Sequence, residues 1–148
     1  MIFDDEYFMK EALRQAKLAA DAGEVPVGAV VVWDNRIIGR GHNQVERLND
    51  TTAHAEMIAI TAATNSIGAK YLAEATLYVT VEPCLMCAGA IYWSKVGRIV
   101  YGAPDVKNGY RKTAGDNYPF HPKSTITTGI LAAECTMLMK SFFAARRR

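Results

Sequence analysis

Between Thr80 and Ile91 the chain reads T-V-E-P-C-L-M-C-A-G-A-I, which sets two thiols three residues apart directly behind a proline. Proline suits the first turn of a helix, so Cys84 and Cys87 fall at an i, i+3 spacing on one face of a helix's N-terminal end. The helix dipole and the free amides there favour the thiolate. Such a pair serves as a redox dithiol, as a structural metal clip, or as part of a catalytic metal site. Two thiolates do not complete a zinc site, and the histidines that could add a ligand are His42, His54 and His121. His54 stands in T-A-H-A-E, just inside the start of another helix and two residues ahead of Glu56. Two helical steps turn a side chain by about 200°. His54 and Glu56 therefore share a site only where both curl over the helix end, with the metal between two helix N-termini.

One His and two Cys make three protein ligands, the arrangement of a catalytic zinc that leaves its fourth position to water, whereas structural zinc closes with four. A carboxylate such as Glu56 beside that water can take its proton and later deliver it to a leaving group. The blander alternatives are a thioredoxin-like dithiol, which usually follows a first strand near the start of a chain, and a structural zinc completed by His42, His121 or Cys135. Cys135 itself lies in an apolar stripe and reads as a buried core thiol.

The elements that must hold these residues follow from periodicity. Asp4 or Asp5 caps a helix carrying Phe8, Met9, Ala12, Leu13, Ala16, Ala19 and Ala20, and Gly23 stops it. Val25–Trp33 and Arg36–Gly41 flank Asp34-Asn35 and read as a hairpin, whose first strand is apolar enough to need cover on both faces. Thr51 or Thr52 caps a helix through Ala63. Thr76–Val81, Arg98–Tyr101 and Ser124–Thr128 read as further strands, Leu85–Trp93 and Ile130–Ala145 as helices, and 103–123 as a turn-rich passage. The order α-β-β-α-β-α-β-β-α predicts a mixed five-stranded sheet between helices.

A chain of 148 residues, half of them apolar, fits one domain over 1–148. No apolar run approaches the roughly 18 residues of a membrane span, and three cysteines favour a reducing cytoplasm over a secreted disulfide framework. Residues 1–80 hold 7 Lys or Arg against 11 Asp or Glu, whereas residues 81–148 hold 10 against 4. A basic C-terminal half points to a polyanionic partner, nucleic acid above all. Lys107, Arg111, Lys112 and Lys123 lie among Tyr101, Tyr110, Tyr118 and Phe120, a mixture of phosphate-binding charge and stacking surface that suits an RNA loop. The same arginines and aromatics could also complement a helix dipole or pack on the sheet.

H-x-E followed by P-C-x-x-C is the signature shared by zinc-dependent nucleoside and nucleobase deaminases. Its flanks narrow the choice: G-E-V-P-V-G-A-V at Gly23–Val30, G-H-N at Gly41–Asn43, N-D-x-T-A-H-A-E at Asn49–Glu56, L-Y-V-T-V-E-P-C-x-M-C-A-G-A-I at Leu77–Ile91 and G-I-L-x-x-E-C…F-F-x-x-R-R at Gly129–Arg147. Together these resemble the bacterial tRNA-specific adenosine deaminases over most of the chain. Free cytidine deaminases usually carry a cysteine where His54 stands. Guanine deaminases tend to show G-P-F-G in place of V-P-V-G, although Ala90-Ile-Tyr-Trp93 fits them too.

The resemblance implies a three-layer α/β/α cytidine-deaminase-like fold and one zinc ion per subunit on His54, Cys84 and Cys87. It implies Glu56 as proton shuttle while zinc-bound hydroxide attacks an adenosine and leaves inosine, and Asn43, Val27 and Ala55 as contacts to the target nucleoside. It further implies a cytoplasmic homodimer whose partner is a tRNA anticodon stem-loop, edited at the wobble base. RNA contacts are expected from Asp105, Lys107, Arg111, Lys112, Phe143, Arg146 and Arg147. After D-x-K-x-G at Asp105–Gly109 the bacterial pattern often continues with small residues, whereas Tyr110-Arg-Lys112 follows here. The competing readings are a deaminase of free guanine or cytosine, which needs no polyanion surface, and an RNA-binding module with a structural zinc.

Overall fold

A computed structural model describes residues 2–146. Helix α1 (Asp5–Asp21) begins where the Asp4 carboxylate accepts the Tyr7 amide and ends at Gly23, whose φ of +78° is the left-handed stop a glycine adopts without strain. Strands β1 (Gly28–Trp33) and β2 (Arg36–His42) form the predicted hairpin. Asp34 and Asn35 both take positive φ, as a two-residue turn matched to strand twist requires. The remaining elements are α2 (Val45–Leu48), α3 (Ala55–Ile67), β3 (Thr76–Val81), α4 (Leu85–Ser94), β4 (Arg98–Ala103), α5 (Tyr110–Ala114), β5 (Thr125–Thr128) and α6 (Ala132–Arg146). The sheet order is β2-β1-β3-β4-β5, with β1 antiparallel to both neighbours and β3, β4 and β5 parallel.

Side chains alternate between two cores, the period of two that a doubly covered strand dictates. Ala29 and Val31 of β1, Leu77 and Val79 of β3 and Ile99 of β4 join α3 and α4 on one face. Val30, Val32, Tyr78 and Val100 join Phe8, Met9, Ala12 and Leu13 of α1 and Cys135 of α6 on the other. Cys135 is thus the core thiol expected of it, on the sheet face opposite the other two cysteines.

Several local expectations are corrected. Thr51 and Thr52 do not cap α3; Thr52 turns its amide and hydroxyl onto the Asp50 carboxylate, and His54 is the N-cap. The short helices α2 and α5 fall where loops were expected, too brief to show a periodic stripe. Tyr101, Tyr110 and Phe120 are no stacking platform: all three are buried in the α3/α4 core, Tyr110 edge-on to Phe120 at 5.0 Å between centroids. Tyr118 is the exposed member, and its hydroxyl donates to the Ser124 carbonyl at 2.6 Å.

Two features aim the helices at one point. Ala55, Ala59 and Ala63 form a stripe along α3 that lies directly on Gly39 and Gly41 of β2; a Cβ at Gly41 would strike the Ala55 carbonyl and the Ala59 amide. The helix is therefore seated by small residues, and its first turn is fixed against the sheet. Helix α4 instead springs from the carboxyl end of β3 through Glu82-Pro83-Cys84, at the carboxyl ends of the parallel strands β3 and β4, where open α/β sheets form ligand sites. Below them, Asp5 clamps α1 to the sheet: Arg98 donates to both its oxygens at 2.8 and 2.7 Å, and the Tyr78 hydroxyl donates at 2.7 Å.

Gly41→Ala should lower stability by about 1–3 kcal/mol through overpacking. Because the displaced turn carries His54, metal content measured on the purified variant should fall with the melting temperature. A second outcome follows from Asp5, whose carboxyl the Arg98 guanidinium holds below its ordinary value of 3.8, aided by Tyr78 and opposed by burial. A depressed folded value stabilises above the unfolded value and is lost as pH falls through the folded one. Asp5→Asn should thus cost about 1–2 kcal/mol at pH 7. The gap between wild type and variant in urea melts should close below roughly pH 4.

Candidate metal centre and active-site cavity

His54 is the N-cap of α3 and Cys84 the N-cap of α4, both in extended backbone conformation, and neither side chain bonds its own helix. Freed from capping, both point into the gap between the two helix starts. Cys87, in the first turn of α4, is fully buried beside them. The His54 Nδ1 lies 3.6 Å from the Cys84 Sγ and 3.6 Å from the Cys87 Sγ. Zinc ligands at about 2.05 Å for nitrogen and 2.3 Å for sulfur, set at a tetrahedral angle, stand about 3.6 Å apart. The donors therefore fit zinc in type, number and spacing.

Among the described residues these three are the group placed to share an ion. The other candidates lie elsewhere: His42 faces the Gln15 amide oxygen, His121 accepts from the Lys123 amide through Nδ1, and Cys135 is on the other sheet face. A fourth protein ligand is thus missing among the described residues, and the centre faces a cavity of about 540 Å³. This ligand count disfavours a structural clip.

Protons on the cluster are distributed by the same contacts. A hydrogen bond from Cys87, with His54 alongside, pulls the Cys84 thiol down to about 4 even though burial opposes it. The Cys84 contact raises His54. Cys87, bonded to the Cys84 sulfur and desolvated, is pushed up. Glu56, the second residue of α3, is buried and reaches Cys87; desolvation raises its carboxyl to about 7, its own backbone amide opposing and the Cys84 sulfur adding to the rise. Two helix N-termini pointing at this spot favour the anionic forms of the sulfurs.

Asn43, Val27 and Ala55 all line the cavity. Asn43 is locked by its own bonds: Nδ2 donates to the Val25 carbonyl at 3.2 Å and Oδ1 accepts the Val45 amide at 3.3 Å. Of the residues expected to meet RNA, Asp105, Lys107, Phe143 and Arg146 line the cavity mouth. Arg146 donates to the Gly23 carbonyl and stacks its guanidinium 5.2 Å from the centre of the Phe142 ring. Lys112 is exposed on α5 away from the lining, and Arg147 lies outside the described residues. Arg111 is exposed but engaged, its Nη2 2.9 Å from the buried Glu82 carboxylate.

Two buried acidic residues of the lining, Glu24 and Glu82, carry no role in the sequence motifs. Glu24 is buried and accepts the Glu46 and Arg47 amides at 2.9 and 2.8 Å, holding the start of α2 at one rim. Glu82 is buried too, with a carboxyl that burial alone would raise and that bonds from Arg111 and Asp105 hold below the usual range. The available signal was a carboxylate inside an apolar run, G-E-V-P-V and V-T-V-E-P-C, since acidic residues are rarely buried unless paired.

The cytidine and deoxycytidylate deaminase zinc-binding region matches residues 3–103. A tRNA-specific adenosine deaminase of Bacillus subtilis is 43% identical over 97% of this chain and 91% of its own length. The chain belongs to the tRNA-specific adenosine deaminases of this zinc-binding deaminase family. A chloroplastic tRNA(adenine(34)) deaminase of Arabidopsis thaliana is 47% identical over 96% of the chain, which spans only 12% of that relative's length. A solved structure from work on A-to-I editing by tRNA wobble-position deaminases superposes with a TM-score of 0.82 at 39% identity, covering 89% of this chain and 98% of that one. A guanine deaminase of Bacillus subtilis superposes with a TM-score of 0.67 at 41% identity over 76% of this chain and 71% of that one.

The purified deaminase should carry one zinc per chain by elemental analysis. Cys87→Ser should lower zinc affinity by more than about tenfold. A strong chelator should depress the melting temperature of the wild type toward that of the variant, because metal affinity is folding free energy in such a site.

Proposed function

We propose that this chain is a hydrolytic deaminase that converts adenosine to inosine at the wobble position of a tRNA anticodon stem-loop. The observation that carries it is the trio His54, Cys84 and Cys87 with Glu56 buried beside it, opening on a cavity, in a chain of this family. The base must leave its stack to enter, which an anticodon loop allows at little cost. The cavity offers Asn43, Val27 and Ala55 to the base, and its mouth presents Asp105, Lys107, Phe143 and Arg146 to the flanking nucleotides.

When bound, zinc supplies a Lewis acid that makes water a nucleophile near neutral pH. Glu56 takes the proton of the attacking water and passes it to the ring nitrogen next to C6. Glu56 then takes the remaining proton from the new C6 hydroxyl and passes it to the amino group, so that the C–N bond breaks, ammonia leaves and the oxygen stays on the ring as the inosine carbonyl. Asn43, held rigid by its two bonds, fixes the base against rotation.

We further propose a homodimer. Supporting it, α4 leaves Leu85, Met86, Tyr92 and Trp93 exposed, Trp93 to 76%, an apolar surface that a second copy would cover. The reading places the enzyme in the cytoplasm with its tRNA.

Deamination of a free base is the second reading, favoured by the likeness to a guanine deaminase. Unmodified arginine tRNA incubated with the protein should yield inosine on nucleoside mass spectrometry, and that turnover should weaken steeply with salt through counterion release. Turnover of free guanine or cytosine without inosine, insensitive to salt, would reverse the assignment. Glu56→Gln should retain zinc and fold while losing roughly 10²–10⁴-fold in kcat.

A further inference from the structure

We propose that Glu82 is a positioning residue that holds one wall of the substrate cavity in register through contacts separate from the metal ligands, although it stands only two residues ahead of Cys84. The proposal rests on the functional reading above, since it assigns the wall to the nucleotides flanking the edited base.

The Glu82 side chain is 1% exposed, and its donors come from the connection between β4 and α5, which supplies Asp105, and from the first turn of α5, which supplies Arg111. Asp105 donates its amide to Oε1 at 3.1 Å and Arg111 its amide to Oε2 at 3.1 Å. The Arg111 guanidinium adds Nε and Nη2 to Oε1 at 3.2 and 2.9 Å. His54, Glu56, Cys84 and Cys87 are absent from these partners. A carboxylate desolvated to this degree is costly unless its oxygens are saturated, and removing its donors leaves an uncompensated charge.

What the carboxylate fixes is the turn behind it. With its amide on Glu82, Asp105 accepts the Lys107 and Asn108 amides on Oδ1 at 3.2 and 3.0 Å and the Gly109 amide on its carbonyl at 2.8 Å. Asp105, Lys107 and Asn108 all line the cavity, so Glu82 sets where three lining groups stand. The packing leaves no slack: a Cβ at position 109 would run into the Glu82 carboxyl, which only glycine avoids. Glu82 begins at the end of β3, so the wall is referenced to the same strand that delivers Cys84. Arg111 meets this anchor from the solvent side: its side chain is 53% exposed, and its guanidinium caps the buried carboxylate at the surface.

The test uses the zinc-loaded full chain, Glu82→Gln and, should that variant fold poorly, Arg111→Met, which keeps the carboxylate and its amide partners. Loss of charge-assisted bonds of this kind corresponds to about a tenfold or greater rise in KM for tRNA in Glu82→Gln, and about threefold in Arg111→Met. Zinc per chain should stay at the wild-type value, and kcat should fall by less than KM rises. Hydrogen exchange should quicken at the Asp105 and Arg111 amides in both variants and stay unchanged through 85–94. Faster exchange spread evenly over the chain, zinc loss with a falling kcat at constant KM, or unaltered exchange at 105 and 111 would each overturn the proposal. If the wild type makes no inosine, the functional reading fails by itself, and the exchange and zinc measurements still decide whether Glu82 anchors this wall.

Discussion

The spacing of one imidazole nitrogen and two sulfurs, set by two helix N-termini that meet edge to edge, is the constraint on which the rest of the structure depends. Neither His54 nor Cys84 caps its own helix by its side chain, although both occupy the capping position. A cap bond would turn each side chain back over its own amides and away from the other. Leaving those bonds unmade costs each helix about 1 kcal/mol of end stability. In exchange the two donors converge at 3.6 Å, and the dipoles of both helices bear on the same point.

Holding two helix starts at such a distance demands that their bodies be fixed by something stiffer than loops. For α3 it is the alanine stripe on Gly39 and Gly41, where backbone meets backbone; for α4 it is covalent continuity with β3 through Glu82-Pro83. The antiparallel pairing of β1 with β3 then brings Val27 and the Asn43 turn to the same edge, with the Gly28 amide on the Thr80 hydroxyl at 3.2 Å. Every functional group so far named stands at one edge of the sheet for this topological reason, as open α/β sheets place their ligands.

Around that rigid centre the cavity rims hang on buried charge. Glu24 and Glu82 each collect backbone amides from short segments: the helix α2 on one side, and Asp105 with the first turn of α5 on the other. Short irregular segments carry unpaired amides, and a desolvated carboxylate satisfies several at once with stronger bonds than a neutral acceptor would. The short helices α2 and α5 and the turn at Asp105 are thereby fixed at the two rims. Basic and aromatic residues that composition had grouped together separate at this point: Tyr101, Tyr110 and Phe120 enter the core, Arg111 goes to Glu82, and Lys107 and Arg146 stay at the mouth.

The sequence by itself determined the ligand chemistry, the five strands and the larger helices, because each is written in local terms: thiols three residues apart behind a proline, a period of two or of 3.6, a glycine stop. It also carried the zinc deaminase signature, whose residues had to be near one another for the metal to be held. Tertiary structure alone decided that His54 is itself the cap, and which of the aromatic and basic residues of 101–123 face solvent. Those outcomes turn on contacts between segments far apart in the chain, such as Glu24 with Arg47 or Glu82 with Arg111. Residue type sets what a side chain can do; only packing sets which partner it meets, and a buried glutamate looks like any other until its amides are found.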